Sequence, residues 1–487
     1  PVPEFITANW TLDSFRDKIA CVDGTTGQKR TFSEYDSHTS SIAASLKYDF
    51  NVSENSTIAL FSPNGVDYAP ICIAAAMLGA KLSPCNPAYK TDELETILRN
   101  SETDVLIAHA VTADTALAVA KRVDSVKEVI IIPTADDEGG GGGDIFGTTA
   151  LCSLKDHSSP LRRTHEAVWD NASSHVYLLP YSSGTTGLPK GVCLTHENIT
   201  ANLVQMARAE EESFHFDHKL ISPLPAFHIY GYLASLMYSA WKGHQYITFS
   251  GKFDLEQFCL TTEEYRPERA HIVPPIILGL AKSPIVDKYD MSSLKVLISA
   301  AAPLSKELEG AVKDRLGCVV KQAWGMSELS PIGTFTPDAH VKSGSVGPLV
   351  SSTYGKIIDA ETGQSLGPNK TGELLIKGPQ VMLGYFNAPE KTNETMTEDG
   401  WLKTGDVAYY DEQGYFYITD RIKELIKVRG YPVAPAELEA LLLTNPHVKD
   451  TAVISRADEL SGELPRAYVV LKEDETSQDV TEVQIQD

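Results

Sequence analysis

A segment rich in glycine and hydroxyl groups carries the residues best suited to bind a polyphosphate. Glycine lets backbone N–H groups turn toward an anion, hydroxyl groups donate further hydrogen bonds, and a lysine supplies positive charge. The spacing differs from that of a Walker A loop, where a serine or threonine follows the lysine, because Gly191 follows Lys190 here. A P-loop nucleoside triphosphatase is therefore disfavoured. The candidate phosphate ligands are Ser182, Ser183, Gly184, Thr185, Thr186, Gly187 and Lys190.

Three other polar positions are ambiguous when each is considered alone. Glu328, beside the hydroxyl of Ser327, could bind Mg²⁺ together with phosphate oxygens, but a glutamate after a serine is also typical of a helix start. Asp406 follows a glycine, as turn aspartates often do. His228 lies among apolar residues, as core histidines often do. Whether these residues have a functional role or only a structural one depends on which other motifs accompany them.

The chain is strongly acidic, with 42 Lys+Arg against 65 Asp+Glu and a net charge of −23. Such a surface repels nucleic acids and anionic membranes, so neither is an expected partner. A local basic run stands out against this charge. It could contact an anion, or it could form a solvated surface. Its members are Arg421, Lys423, Lys427 and Arg429.

Length and composition indicate a globular protein of more than one domain. A chain of 487 residues exceeds the roughly 250–300 residues at which single cores stop growing. With 42% hydrophobic and 22% charged residues, disorder and a collagen-like chain are excluded. The longest apolar run, 71–80, is shorter than the roughly 20 residues that span a bilayer, so no integral membrane segment is expected. Seven scattered cysteines favour a reducing compartment.

The elements that must position these residues follow an α/β pattern. Short β-branched runs alternate with helix-like stretches, which predicts a parallel sheet with covering helices. The predicted strands cover 56–61, 104–108 and 129–132, and the predicted helices cover 68–78 and 112–122. A further strand at 176–180 precedes the phosphate segment, and a helix is predicted to begin near His196.

The later part of the chain has a different pattern of predicted elements. After Gly344, strands predicted at 356–359, 372–377 and 414–419 are separated by tight turns, which indicates an antiparallel subdomain. Beyond Asp420 a new unit is predicted, with a helix at 435–443 and strands at 450–454 and 466–471.

Taken together, the motifs resemble those of the adenylate-forming superfamily, which includes acyl-CoA synthetases, luciferases and peptide-synthetase adenylation domains. The resemblance is closest to the 4-coumarate–CoA ligases and covers essentially the whole chain. The matching segments are YSSGTTGLPKGV from Tyr181, LPAFHIYG from Leu224, WGMSE from Trp324, GELLIKG from Gly372, WLKTGD from Trp401 and DRIKELIKVRGYPVAPAELEALL from Asp420.

The resemblance implies a fold of two domains. The N-terminal AMP-binding domain would cover 1–419 and contain two α/β sheet subdomains and a small β-barrel-like subdomain. A mobile α+β C-terminal domain would cover 420–487, with a hinge at Asp420. The family's adenylation lysine follows later, in a PKxxxGK context beyond residue 487. The polypeptide as printed is therefore expected to be truncated before that loop and to adenylate poorly.

The resemblance also implies roles for the site residues. Trp324 would lie against adenine, Ser327 on the α-phosphate, Glu328 on Mg²⁺ and Asp406 on the ribose. Residues that would surround the nucleotide or adenylate are Ala301, Gln322, Ala323, Gly325, Arg421, Lys423 and Lys427. His228, Ile229, Tyr230 and Ala300 would line the acid pocket. CoA would contact Arg429, Gly430 and, as a weaker candidate, Lys252.

The implied activity joins a small-molecule carboxylic acid to CoA, with ATP cleaved to AMP and pyrophosphate through an acyl-adenylate. ATP, Mg²⁺ and CoA are the implied cofactors. A luciferase-like enzyme, a carrier-protein-loading enzyme and a non-catalytic nucleotide-binding relative are the alternatives. The expected compartment is the cytoplasm, with a peroxisomal location as the alternative, and the sequence does not indicate an oligomeric state.

Some positions depart from the coumarate pattern. Ala300 and Ala323 replace usual glycines, and Leu233 replaces a position that can be polar. Each added methyl group changes discrimination between acids by only about 1–3 kcal/mol. The expected acid is a hydroxycinnamate or another aryl acid, or a medium-chain or long-chain fatty acid.

Overall fold

A computed structural model describes residues 1–134, 149–151, 168, 170–182, 189–210, 217–428, 431–443, 445, 447–458 and 461–472. Seven of the predicted site residues lie outside this part of the chain: Ser183, Gly184, Thr185, Thr186, Gly187, Arg429 and Gly430.

The described strands, in chain order, are β1 (Ile19–Asp23), β2 (Lys29–Thr31), β3 (Thr57–Phe61), β4 (Lys81–Cys85), β5 (Val105–His109), β6 (Glu128–Ile132), β7 (Thr149–Ala150), β8 (Val176–Leu178), β9 (Tyr181–Ser182), β10 (Lys190–Thr195), β11 (Lys219–Ile221), β12 (Gln245–Thr248), β13 (Arg269–Ile272), β14 (Val296–Ser299), β15 (Val319–Gly325), β16 (Ile332–Phe335), β17 (Tyr354–Ile358), β18 (Ser365–Leu366), β19 (Gly372–Lys377), β20 (Gly384–Tyr385), β21 (Leu402–Tyr410), β22 (Phe416–Arg421), β23 (Ile426–Val428), β24 (Tyr431–Val433), β25 (Val448–Asp458) and β26 (Gly462–Leu471).

The described α-helices are α1 (Val2–Thr7), α2 (Asp13–Arg16), α3 (Phe32–Tyr48), α4 (Tyr68–Met77), α5 (Thr91–Asn100), α6 (Ala113–Ala120), α7 (His196–Ala209), α8 (Tyr238–Lys242), α9 (Leu255–Tyr265), α10 (Pro274–Lys282), α11 (Lys306–Leu316), α12 (Pro389–Thr395) and α13 (Pro435–Leu443). A π-helical segment covers Tyr230–Met237, and short 3₁₀ turns cover Ala110–Thr112, Pro284–Lys288, Ser327–Leu329 and Asp338–His340.

Two large sheets form the α/β part of the molecule. One has the order β20-β10-β8-β4-β3-β5-β6-β7, with β9 paired to β10. The other has the order β16-β15-β14-β13-β11-β12-β1-β2. Strands inside both sheets are mostly parallel, and β10, β20, β16 and β2 add antiparallel pairs at the edges. The predicted α/β fold is confirmed.

Two smaller sheets complete the fold. The antiparallel sheet predicted after Gly344 has the order β18-β17-β19-β21-β22. Residues beyond it form the sheet β24-β23-β26-β25, which contacts α13. Strand β22 continues through Asp420 to Arg421, so the predicted hinge residue lies within a strand.

The sequence prediction missed many of the described strands, among them β4 and β10. β4 follows α4 after a short turn, and its lysine and proline obscured its β character. β10 lies between the phosphate segment and α7, where a helix had been expected to follow the loop without a strand. Thr195 marks the change from strand to helix, because its side chain accepts a hydrogen bond from the backbone N–H of Asn198.

Apolar side chains of both large sheets meet in one extensive core. It includes the fully buried helix α4, whose ten residues all lie in the interior, and the helical segments after Tyr230. Within the described ranges, no helix is long and apolar enough to cross a membrane.

Candidate active site

The ends of the phosphate segment are held by an antiparallel hairpin. Ser182 of β9 pairs with Lys190 of β10, and Tyr181 pairs with Gly191. The intervening residues 183–188 lie outside the described part of the chain. The two flanking candidates are therefore neighbours across a strand pair. This arrangement differs from a Walker A loop, which leads straight into a helix.

One aromatic residue, Tyr385, contacts both Lys190 and Glu328. The Lys190 Nζ atom is 5.2 Å from the ring centroid of Tyr385. The hydroxyl of Tyr385 donates a hydrogen bond of 2.7 Å to Oε1 of Glu328. Burial, and next the charge of Glu328, raise the pKa of Tyr385 above its ordinary value, so the hydroxyl keeps its proton at neutral pH. Phosphate-segment and metal candidates are thus brought together, although they lie far apart in sequence.

Asp406 contacts two other residues that were predicted to bind the nucleotide, Trp324 and Arg421. The indole N–H of Trp324 donates to Oδ2 of Asp406 at 2.8 Å, and Nε of Arg421 lies 3.3 Å from Oδ1. Burial raises the pKa of Asp406 to about 6, while Arg421 and Trp324 counteract this rise and Glu328 adds to it. Glu328 and Asp406 are therefore close enough to repel each other, and a cation between them and a phosphate would be stabilised.

The side chains around Glu328 suit magnesium better than a metal held by the protein alone. No group of three or more His, Cys, Asp or Glu side chains that could hold a metal occurs in the described ranges. Mg²⁺ commonly binds one or two carboxylates and completes its shell with phosphate oxygens and water. Glu328, buried beside the half-buried Ser327 and near Lys190, fits that pattern.

Two glycines, Gly325 and Gly333, allow close packing at the end of β15, where the predicted adenine contact Trp324 lies. A Cβ on Gly325 would lie 2.0 Å from the carbonyl oxygen of Pro331. A Cβ on Gly333 would lie 2.5 Å from Cζ3 of Trp324. The large indole of Trp324 therefore occupies space that only a glycine on β16 leaves free.

Tyr230, one of the predicted acid-pocket residues, packs on one face of the eight-stranded sheet. His271, Ile298 and Lys321 are register neighbours on β13, β14 and β15, so their side chains project to the same face. Tyr230 stacks on His271 with ring centroids 6.0 Å apart, and its hydroxyl donates to the carbonyl of Ile298. Burial lowers the pKa of His271 to about 3, so this histidine is neutral.

The other predicted acid-pocket residues, Ala300, Ile229 and His228, and the predicted adenylate contact Ala323 differ in exposure. Ala300 and Ala323 follow Ile298 and Lys321 by two residues, and both are buried. Ile229 is buried at the start of the π-helical segment. His228 is exposed; its Nδ1 accepts from the backbone N–H of Tyr230 at 3.4 Å, and desolvation by neighbouring atoms lowers its pKa.

Two predicted adenylate contacts, Gln322 and Ala301, differ in whether they are available to a ligand. Gln322 projects to the face opposite Ala323, where its amide donates to the carbonyl of Leu304 and to Glu309. Its side chain is therefore used within the protein. Ala301 is exposed and adopts a left-handed backbone with φ of 73°. An alanine in this region costs about 1–2 kcal/mol, and such strain clusters at functional sites.

Arg421, Lys423 and Lys427, the predicted cations of the C-terminal segment that the structure describes, are exposed. Lys423 lies in the turn after β22, and Lys427 lies on β23. Hydrogen bonding to Lys391 lowers the pKa of Glu394 first, and the charges of Lys190 and Lys423 lower it further. Lys190 and Lys423 therefore lie near the same carboxylate. Lys252 is exposed after β12, and no contact with the other candidates is observed among the described residues.

Tyr385 and Gly333 belong to this site, yet sequence reasoning did not select them. Gly384-Tyr385 could have been noticed as an aromatic residue beside a glycine after the GELLIKG motif. Nothing in the sequence indicated that Gly333 faces Trp324, because that contact depends on the pairing of β15 with β16.

Comparisons with known proteins identify the relatives of this chain. The model of the family "AMP-binding enzyme" matches residues 9–386, and that of the "AMP-binding enzyme C-terminal domain" matches residues 437–487. A probable 4-coumarate–CoA ligase 1 of Dictyostelium discoideum is 38% identical over 98% of this chain and 87% of its own length. A 4-coumarate–CoA ligase of Pinus taeda is 37% identical over 96% of this chain and 86% of its own.

A solved structure with the same fold extends the comparison to three dimensions. ATP-bound MatB from Rhodopseudomonas palustris is 26% identical to this chain, with a TM-score of 0.85, and the match covers 99% of this chain and 90% of MatB. The family model covers well over half of the residues. The chain belongs to the AMP-binding, adenylate-forming enzyme family.

Proposed function

We propose that this protein is an ATP-dependent acid–thiol ligase that converts a carboxylic acid, ATP and CoA into an acyl-CoA, AMP and pyrophosphate. The observation that carries the proposal is the convergence of Lys190, Glu328 and Asp406 through Tyr385 and Trp324. This arrangement supplies separate groups for phosphate, metal and ribose. The similarity to 4-coumarate–CoA ligases supports CoA as the acceptor.

In the first half-reaction, a carboxylate oxygen of the acid attacks the α-phosphorus of ATP. A new P–O bond forms, the bond between the α-phosphorus and the bridging oxygen breaks, and pyrophosphate leaves with the electron pair. Lys190 and the hydroxyl of Ser182 would bind the triphosphate, with residues 183–187 as further candidates. Asp406 would accept hydrogen bonds from the ribose, Trp324 would contact adenine and Ser327 would bind the α-phosphate. Bound to Glu328, Mg²⁺ would neutralise phosphate charge.

In the second half-reaction, the sulfur of CoA attacks the acyl carbon of the adenylate. A C–S bond forms, the C–O bond to AMP breaks, AMP leaves with the electron pair, and the thiol proton passes to solvent. Arg421, Lys423 and Lys427 would contact the adenylate, while Arg429, Gly430 and Lys252 are candidates for CoA. His228, which is exposed, would line the acid pocket and move between the two half-reactions.

We further propose that domains 1–419 and 420–487 rotate about Asp420 between the half-reactions. In the arrangement described, Oδ1 of Asp420 accepts from the N–H of Arg421, and Oδ2 accepts from the N–H of Ala436 in α13. The hinge carboxylate thus contacts the first turn of a C-terminal helix. Changing these hydrogen bonds would accompany rotation.

The acid is proposed to be an aryl acid such as a hydroxycinnamate, in line with the named relatives. A fatty acid is the second candidate, because Ile298, Ala300 and Ala323 give the pocket face apolar character. Neutral His271 and Tyr230 are polar groups on the same side, so a hydroxylated ring remains compatible with it.

We propose the cytoplasm as the working compartment. The six described cysteines are buried free thiols, which suits reducing conditions. Microscopy of the tagged full-length protein, with a peroxisomal marker, tests this location.

The function is tested by ATP–pyrophosphate exchange with the full-length protein and a panel of cinnamates and fatty acids, followed by CoA-dependent release of AMP. We expect exchange with at least one acid and AMP release only when CoA is added. Pyrophosphate exchange without any CoA-dependent release of AMP would support the carrier-loading alternative. Absence of exchange with every acid would contradict the proposal.

A further inference from the structure

A short backbone segment connects the predicted metal ligand to the strand that begins with Lys190. This segment, residues 380–386, is called the strap below. The N–H of Met382 donates to the carbonyl of Glu328 at 2.8 Å, and the hydroxyl of Ser330 donates to the carbonyl of Gln380 at 2.9 Å. On its other side, β20 of the strap pairs with β10. The strap therefore fixes the backbone around Glu328 relative to β10.

One side chain of the strap contacts both functional candidates. The Tyr385 hydroxyl donates to Glu328 at 2.7 Å, and its ring lies 5.2 Å from Lys190 Nζ. The backbone N–H of Tyr385 is itself held by Oγ1 of Thr392 at 2.8 Å. The ring is half-buried and its backbone is bonded on a strand, so its position is well defined.

We propose that Tyr385 is a positioning residue that orients the Glu328 carboxylate for the metal and the Lys190 ammonium for the triphosphate. The inference rests on the proposed function. One oxygen of Glu328 is held by the hydroxyl, so the carboxylate cannot rotate freely and the other oxygen keeps a fixed direction. The aromatic face attracts the lysine cation and limits where its flexible stem can lie.

Substitutions of Tyr385 can distinguish the contact of its hydroxyl with Glu328 from the contact of its ring with Lys190. Tyr385→Phe removes the hydroxyl and keeps the ring, so it should weaken metal binding and leave nucleotide binding in the absence of metal unchanged. Tyr385→Leu removes the ring as well, so it should weaken both. Tyr354→Phe is the matched control, because Tyr354 is 68% exposed on β17 and outside the site.

The readout is binding rather than turnover. Mn²⁺ replaces Mg²⁺, and electron paramagnetic resonance measures its affinity for the full-length protein with an ATP analogue that has a methylene group between the α- and β-phosphates. We expect Y385F to weaken Mn²⁺ binding about tenfold, in the range found for partners of metal ligands. An affinity within twofold of the wild type would overturn the proposal.

A double-mutant cycle separates orientation from a loss of stability. If Tyr385 acts through the Glu328 carboxylate, Y385F should have little further effect on Mn²⁺ affinity in the E328Q background. An equal loss in both backgrounds would show a general structural role and contradict the proposal. If the wild-type protein binds Mn²⁺ with the analogue but exchanges no pyrophosphate, adenylation is refuted, while the comparison with Y385F still decides the role of Tyr385.

Discussion

Asp406 is the residue whose surroundings most strongly affect its chemistry. Burial raises its pKa to about 6, whereas the Trp324 N–H and Arg421 favour its ionised form. An ionised carboxylate is the better acceptor for ribose hydroxyls. Nucleotide affinity should therefore be constant above about pH 7 and fall as the pH drops through the pKa of about 6.

Trp324→Phe tests this contact, because it keeps an aromatic face and removes the indole donor. The Asp406 pKa should rise further, so the acidic fall in affinity should move to higher pH. At pH 7 the Kd for ATP should increase about tenfold, as expected for loss of a hydrogen bond to a charged group. Calorimetric titration from pH 5 to 8 measures both effects.

The control for that variant is Trp401→Phe, since Trp401 is half-buried under Lys356 rather than bonded to Asp406. W401F should retain the wild-type pH profile. An unchanged profile for W324F would contradict the proposed role of the indole.

Residue identity predicted the types of group in the site but not their contacts with each other. The WGMSE and TGD segments identified Trp324 and Asp406 separately, and no pattern showed that their side chains bond to each other. Tyr385 was missed for the same reason: its importance comes from β20 pairing with β10, which brings it to Lys190 and Glu328. Gln322 shows the opposite case, because strand alternation turns its side chain away from Ala323 toward α11.

At the scale of elements, the antiparallel pair β15 and β16 determines where Trp324 can lie. The backbones approach closely at Gly325, where an added Cβ would meet the Pro331 carbonyl oxygen at 2.0 Å. That contact involves backbone atoms on both sides, so the strands must separate if a side chain is introduced.

Gly325→Ala should therefore destabilise the protein by about 3 kcal/mol, at the upper end of typical overpacking costs. Chemical denaturation measures the change, and nucleotide affinity should fall with it because the strands hold Trp324. Gly310→Ala is the control: nothing lies within 4 Å of its added Cβ, and the helix α11 should tolerate or gain from alanine. Equal stability of the two variants would contradict this account.

Part of the secondary structure was predictable, because β-branched runs and apolar periodicity depend on neighbours in sequence. The predicted helix at 68–78 is confirmed as α4, and the predicted strand at 372–377 is confirmed as β19. The strand that follows the phosphate segment is one of those that the prediction missed. Lys190-Gly-Val-Cys-Leu-Thr195 is short, and its lysine and glycine resemble loop residues, so the return strand β10 could be recognised only from its pairing with β8, β9 and β20.

At the scale of the whole molecule, a buried charged cluster joins the two large sheets. Glu210 is the C-cap residue of helix α7, which follows β10 of one sheet, while Arg269 and Lys321 belong to β13 and β15 of the other. Arg269 is 2.9 Å from Glu210 and also bonds Asp338. Lys321 is 2.5 Å from Asp338 and lies 4.2 Å from the centroid of the Phe335 ring. The charges balance within the cluster.

Removing one member should be costly, because an uncompensated carboxylate would remain in the interior. Lys321→Met is expected to destabilise the protein by about 3–5 kcal/mol, as for other broken buried ion pairs. Urea denaturation measures this loss, with Lys313→Met on the exposed face of α11 as the control. A surface change of that kind should stay within about 0.5 kcal/mol. Similar midpoints for both variants would contradict the expected cost.

The hairpin, the strap and the long strands β21 and β22 bring Lys190, Glu328, Asp406 and Arg421 to one place from widely separated parts of the chain. A nucleotide that contacts all four has affinity only for the folded chain, so its binding energy adds to the free energy of unfolding. At one hundred times its Kd, that addition is about 2.7 kcal/mol. Cellular ATP would thus act as a folding ligand, and protease resistance of the protein would vary with the supply of its own substrate.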